Sequence, residues 1–563
     1  MKIDKAVQVF IIFSVLLLMS LGLILNKTYT PPIKSSKVIY TSPQHTWRTT
    51  PDEIASLVNG LSYSQQGNLT ITYYPAGIIS GEYSFLIKSS SKYVLIYLAV
   101  LRRPDVLKLN LTLDGKPINL SRLNRYELNI SPQATVWVYV INVSTPSRGI
   151  FGKVAYELNY SKVKSLNSSW IIGTPVTWWV ISGKEQSMNL SVNLPGGYVF
   201  LSNYGLLNSS TRITVNPDEL QGVAFIRIGR TLHLRVRRID VTVYISKACE
   251  YTNDSLDSLR GNIEDAISEY INMTGIVPAG KVDVLITAEK YDNGELINSN
   301  PPVAVLGCSR WNVASLKNLV FQNPGLIFHE LAHLWFGYYS DIRRLDESLA
   351  TYMALTVECR TSNCTGLLDE IENFKVLPSL KLNISLSKAY QEGITTPELR
   401  DSIIYYRGAF VFRSLQFVLG NTTFREGLHR LLVECHQRNC NLTDVRNVFE
   451  NVSSRDLDWF FREWFYTSKV PDWSVANVSL KKTKDGEYFL TFAILDKSNF
   501  TMPLQVEVVT QNKKLLRTVW VKGSANVGFK TVTKPVKIIL DPNEWVANEN
   551  RMYSVSGIVV EIN

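Results

Sequence analysis

The chain has 563 residues, 45% hydrophobic and 19% charged, with a net charge of +10. That length excludes a single hydrophobic core, and the balance of apolar and charged residues describes an ordinary globular protein with several folding units. The densest basic stretch, Arg227 to Arg238, alternates like a solvated strand face and lacks the mixed basic and aromatic surface of a nucleic-acid site, so no nucleic-acid partner is expected.

Lys2 and Lys5 precede an apolar run from Ala6 to Leu25, broken only by Gln8, Ser14 and Ser20. About twenty such residues suffice to cross a bilayer. No small-x-small cleavage signal follows. Residues 1–26 therefore read as an uncleaved signal anchor. It makes a single-pass protein of the cell membrane, with the basic end inside and the rest extracellular. A cleaved signal and a secreted protein is the alternative. Asn-x-Ser/Thr sequons recur from Asn26 through Asn68, Asn208, Asn363 and Asn441 to Asn499, as in a glycoprotein of the outer surface. Residues 27–52, rich in Thr, Ser, Pro and Lys, read as a stalk.

From 53 to 240 the chain alternates apolar and polar residues over short runs such as Tyr93–Leu98 and Thr135–Val140. Turn signals at Asp114-Gly115, Pro195-Gly196-Gly197 and Asn203-Tyr204-Gly205 separate them, which describes a large β domain. Near Tyr251 the period changes. Asn253-Asp254 can cap a helix over 255–272, and a strand is expected over Val282–Thr287. Helical patterns fill most of 241–473. Alternation returns over 474–563, for a smaller β-sandwich. The expected fold class is multidomain α+β.

Six cysteines fit an oxidising compartment. Cys359 with Cys364 and Cys435 with Cys440 repeat one spacing at helix ends, which leaves Cys249 and Cys308 as a long-range pair. This is the simplest of the connectivities that six cysteines allow.

Residues His329-Glu330-Leu331-Ala332-His333 read His-Glu-x-x-His. Two histidines four apart share one helix face and can hold one metal ion. The Glu beside the first can serve as general base on a water that the ion activates. A buried helix whose histidines satisfy carbonyls is the bland alternative. Asn323 as N-cap, Pro324 in the first turn and Gly337 as stop bound a helix expected over Pro324–Phe336. A catalytic zinc takes three protein ligands. The third is expected from a following helix, and Leu345–Tyr352 offers Asp346 and Glu347 at its start.

On these residues the chain resembles the aminopeptidase N family of zinc metallopeptidases, the gluzincins. His-Glu-Leu-Ala-His-Leu-Trp-Phe-Gly (329–337) resembles its active-site helix. Leu-Asp-Glu-Ser-Leu-Ala (345–350) resembles its Leu-Asn-Glu-Gly-Phe-Ala segment. Ile-Tyr-Tyr-Arg-Gly-Ala (404–409) resembles its Tyr-x-Lys-Gly-Ala segment. The helical pattern over 423–428 and 454–461 and the segment Lys534–Pro542 fit as well. The resemblance implies a thermolysin-like catalytic domain, with one Zn2+ per chain on His329, His333 and Glu347. Glu330 becomes the general base and then the acid, and Tyr405 the donor to the oxyanion. Tyr406 rivals Tyr405, and Asp346 rivals Glu347.

Three departures stand out. Thirteen residues, 334 to 346, separate His333 from Glu347, a shorter connection than the family's usual one. The family's Gly-x-Met-Glu-Asn segment, whose Glu holds the substrate's free amine, has no counterpart in Val303–Trp311. Glu289 and Glu295 are the nearby substitutes. The family's large C-terminal helical domain does not follow the second β region. The expected function is a membrane-anchored extracellular zinc metallopeptidase acting on peptides or proteins, aminopeptidase-like or with relaxed, endopeptidase specificity. The rivals are a catalytically weak surface glycoprotein that uses the fold for binding, and another metal-hydrolase chemistry in the same site. The sequence carries no signal for the oligomeric state.

Overall fold

A computed structural model describes residues 46–48, 63–308 and 324–556, apart from short internal stretches of which the longest are 160–169 and 172–179. The apolar run at 6–25, all of the stalk but residues 46–48, Glu289 and Asn323 lie outside the described residues. Among the described residues no helix is long and apolar enough to cross a membrane. The chain is multidomain α+β, and its described residues form mainly strands to Ser246, helices and three further strands between Asn253 and Phe465, and strands again from Trp473. Its contacts divide it into two compact units, one of residues 1–233, 242–250 and 282–319, the other of 234–241, 251–281 and 320–563.

Among its described residues the first unit holds a five-stranded sheet, a seven-stranded sheet and most of an eight-stranded one. In the seven-stranded sheet Tyr63–Tyr74 pairs with Ile78–Ser89 over its full length, and alternate residues Leu69, Ile71 and Tyr73 turn inward. They share one core with Phe200 and Phe225 of the eight-stranded sheet, and Tyr73 stacks on Phe225 at 4.4 Å. Burying one face of each sheet supplies the driving force for this packing. Asp114-Gly115 forms a two-residue hairpin turn with φ of +46° and +76°, the backbone for which Asp-Gly is suited.

The expected division at residue 240 falls inside the strand Ile239–Ser246, so no linker marks it. Lys281–Thr287 and Val303–Gly307 extend the same eight-stranded sheet as Gly222–Val236. Alternation reveals a strand but not the sheet it joins, because pairing is set by tertiary contact. Cys249 and Cys308 are bonded within this unit, and the two short-range pairs are bonded in the other.

In the second unit the Asn253–Thr274 helix is capped by Thr252, one residue before the expected cap, through a reciprocal bond with Ser255. Tyr270 of this helix donates to the Phe328 carbonyl at 2.9 Å, and Trp335 donates to the Ile276 carbonyl at 3.0 Å. These bonds seat the segment that carries both histidines. The C-terminal strands form one seven-stranded path that bends at Gly523. The turn after Leu540 braces the Gly408–Leu419 helix. Arg413 donates to the Glu544 carbonyl at 2.8 Å and stacks on Trp545, and Ser414 donates to the Trp545 carbonyl.

Candidate active site

The helix Pro324–Ala332 is shorter than its apolar pattern suggests. After Ala332 the amides of Leu334 and Trp335 reach back three residues, and those of Tyr338, Tyr339 and Ser340 reach back five. Gly337, with φ of +124°, turns the chain there. The His333 amide still reaches the His329 carbonyl, so both imidazoles remain on one face. Ile327, Phe328, Leu331, Leu334, Trp335 and Phe336 are fully buried beneath them.

The next helix, Leu345–Thr361, brings Glu347 to the pair. Nε2 of His329 and Nε2 of His333 lie 3.1 Å apart, and each is 3.2 Å from Oε2 of Glu347. The short connection therefore closes the triangle. Donors bound tetrahedrally to zinc stand about 3.3 Å apart, so three such atoms fit one ion. His329, His333 and Glu347 are the one group of this kind among the described residues. Asp346, the rival, turns instead to accept the Ile342 amide at 3.1 Å.

The outer partners fix which imidazole nitrogen is free. Nδ1 of His333 lies 2.9 Å from the Phe336 carbonyl, which only accepts, so Nδ1 carries the hydrogen. Nδ1 of His329 lies 3.3 Å from the Thr351 hydroxyl. That hydroxyl donates its single hydrogen to the Glu347 carbonyl at 2.7 Å, so it accepts from His329. Both Nε2 atoms are thus left to face Glu347, and in the neutral imidazoles they offer the lone pairs that a metal requires. Thr351 is a site residue that sequence reading missed. Its signal was weak: one turn after Glu347, a hydroxyl lies on the same helix face.

Charge in the site follows from burial and proximity. Burial lowers the His329 pKa. Burial works to lower His333 too, but the hydrogen bond and charge of Glu347, with help from Glu330, push it up to about 9. The two histidines outweigh burial at Glu347 and hold its carboxyl well below the usual range. Glu330 is 4% exposed, beside the first histidine.

Tyr405 lies in a π-helical turn, Asp401–Arg407, and its ring stacks on His329 at 5.3 Å. Burial, then the Glu347 charge, raise its pKa, so the phenol stays protonated. Tyr406 faces away, under the Lys375 ammonium at 5.7 Å. Of the substitutes for the amine-binding Glu, Glu295 lies on the strand Glu295–Ile297, paired with Val303–Gly307.

Because metal binding needs both imidazoles neutral, a proton-laden His333 opposes it at neutral pH. Loading the metal-free protein with zinc at pH 7.5 is expected to release about one proton, and the apparent affinity should rise about tenfold per pH unit toward pH 9. Calorimetry in buffers of different ionisation enthalpy measures the release. No proton release would refute the assigned charge of His333.

Residues 312–464 match the peptidase family M1 domain. A probable aminopeptidase 1 of Sulfurisphaera tokodaii is 25% identical over 230 residues, 38% of this chain and 28% of that protein. A glutamyl aminopeptidase of Bitis rhinoceros is 24% identical over 296 residues, 49% of this chain and 30% of that protein. Each match spans less than a third of the relative's own length. The crystal structure of Legionella pneumophila aminopeptidase A in complex with aspartic acid aligns with 87% of this chain and 59% of its own at 13% identity, with a TM-score of 0.49. The matched segment contains all five residues of the site, and over it the chain is similar to the aminopeptidases of peptidase family M1.

Proposed function

We propose that this chain is a zinc-dependent peptidase of the outer cell surface, with His329, His333 and Glu347 as the metal ligands. The convergence of three donor atoms within 3.2 Å, with both Nδ1 positions occupied, carries the reading. Zinc held there supplies Lewis-acid polarisation of the scissile carbonyl and a lowered pKa for water. Glu330 takes the proton from the attacking water and returns it to the leaving amine. Its burial keeps that carboxylate from bulk water, where its charge would be screened. Tyr405, protonated, donates to the developing oxyanion. Thr351 and the Phe336 carbonyl hold the two imidazoles in orientation.

The altered segment at 303–311 favours relaxed specificity over strict removal of one N-terminal residue. The test uses the purified, zinc-loaded full chain on one peptide with a free or an acetylated N-terminus, read by mass spectrometry with a chelator control. Stepwise cleavage of the free form alone establishes an aminopeptidase. Internal cleavage of the acetylated form establishes an endopeptidase. Cleavage of neither overturns the peptidase reading in favour of a binding protein.

Membrane attachment through residues 1–26 belongs to the same proposal. Support comes from the described sequon asparagines, which are exposed, among them Asn68, Asn208, Asn363 and Asn499, with Asn159 half-buried. Alkaline carbonate extraction of native membranes should leave the chain in the pellet. A mature N-terminus beyond Asn26 would identify a cleaved signal instead.

A further inference from the structure

The turn that carries Tyr405 departs from α-helical register. The Gly408 amide would reach the Ile404 carbonyl in an α-helix. Here it reaches the carbonyls of Ile403 and Tyr405. Ser348, the residue after Glu347, donates its hydroxyl to the bypassed Ile404 carbonyl at 2.5 Å. With that hydrogen committed, the contact of 2.6 Å between Ser348 and Tyr390 has the Tyr390 hydroxyl as donor. Ser348 is fully buried, and a Cβ on Gly408 would overlap its oxygen. The two segments therefore meet at one spot, with one chain of hydrogen bonds.

An added residue in one turn rotates the side chains beyond it by about 100° relative to those before it. Such a shift decides which of two adjacent tyrosines faces His329. We propose that Ser348, held by Tyr390, is a positioning residue that fixes the π-helical register of 401–407 and so aims Tyr405 at the metal site. The proposal rests on the peptidase reading through the role of Tyr405.

A double-mutant cycle tests it, with Ser348→Ala, Tyr405→Phe and the double variant, each zinc-loaded. Tyr405→Phe is expected to lower kcat about 10²-fold, as loss of one oxyanion donor does. Ser348→Ala should lower kcat about tenfold, the scale of one buried hydrogen bond, with KM and zinc content unchanged. In the Tyr405→Phe background it should cost nothing further. Amide hydrogen exchange over 404–409 in the metal-free protein should accelerate in Ser348→Ala. Tyr390→Phe keeps the Ser348 hydroxyl and should show the same effects in weaker form if the alanine variant does not fold. An equal loss of kcat in both backgrounds, or unchanged kcat and exchange, overturns the latch. If Tyr405→Phe itself keeps wild-type kcat, the oxyanion role fails, and the exchange measurement alone decides whether Ser348 holds the turn.

Discussion

Glu330→Gln is expected to lower kcat by about 10²–10⁴-fold, the range for loss of a positioned general base. Its zinc content and melting temperature should match the parent. The amide has the same shape as the carboxylate, and Glu330 is not one of the three converging donors. It cannot take a proton from water at neutral pH. Because the loss is in the chemical step, KM should move little. Steady-state kinetics beside atomic absorption on the same samples checks this. A kcat within a factor of a few of wild type would remove Glu330 from the base role.

His333→Ala is expected to lose both metal and turnover. Its Nε2 is one corner of the donor triangle, and its ring is oriented by the Phe336 carbonyl. Two remaining ligands, one neutral and one anionic, make a weak zinc site. The wild type should gain about 2.7 kcal/mol of stability at a free zinc concentration a hundredfold above its dissociation constant. The variant should show no zinc-dependent shift in melting temperature over the same range. One retained zinc per chain would mean that the ligand set lies elsewhere.

Some of this site was legible because its signals are local. Two histidines and a glutamate within five residues declare themselves through helical spacing alone. The third ligand narrowed to two adjacent acids, and their separation needed the folded chain. Asp346 is drawn to the Ile342 amide and Glu347 to the histidines, an outcome of where the preceding loop ends. Tyr405 and Tyr406 posed the same difficulty. Apolar periodicity assumes a constant rotation per residue, and a π turn breaks that assumption without a marker in the residues themselves. The early end of the His-bearing helix has a similar cause, since the amides of Tyr338, Tyr339 and Ser340 take longer-range partners that local propensity does not reveal.

The sequence by itself determined the α+β character, the metal-binding motif, the buried apolar faces and the pairing of cysteines at helix ends. Each follows from spacing along a regular backbone or from residue chemistry. Only the tertiary structure decided which acid completes the triangle, which tyrosine faces it, and that Thr351 meets His329 and Ser348 meets the Ile404 carbonyl. It also placed the strands at 281–307 in the same sheet as Gly222–Val236. These depend on contacts between segments distant in sequence, set by the packing of buried surfaces rather than by any local pattern.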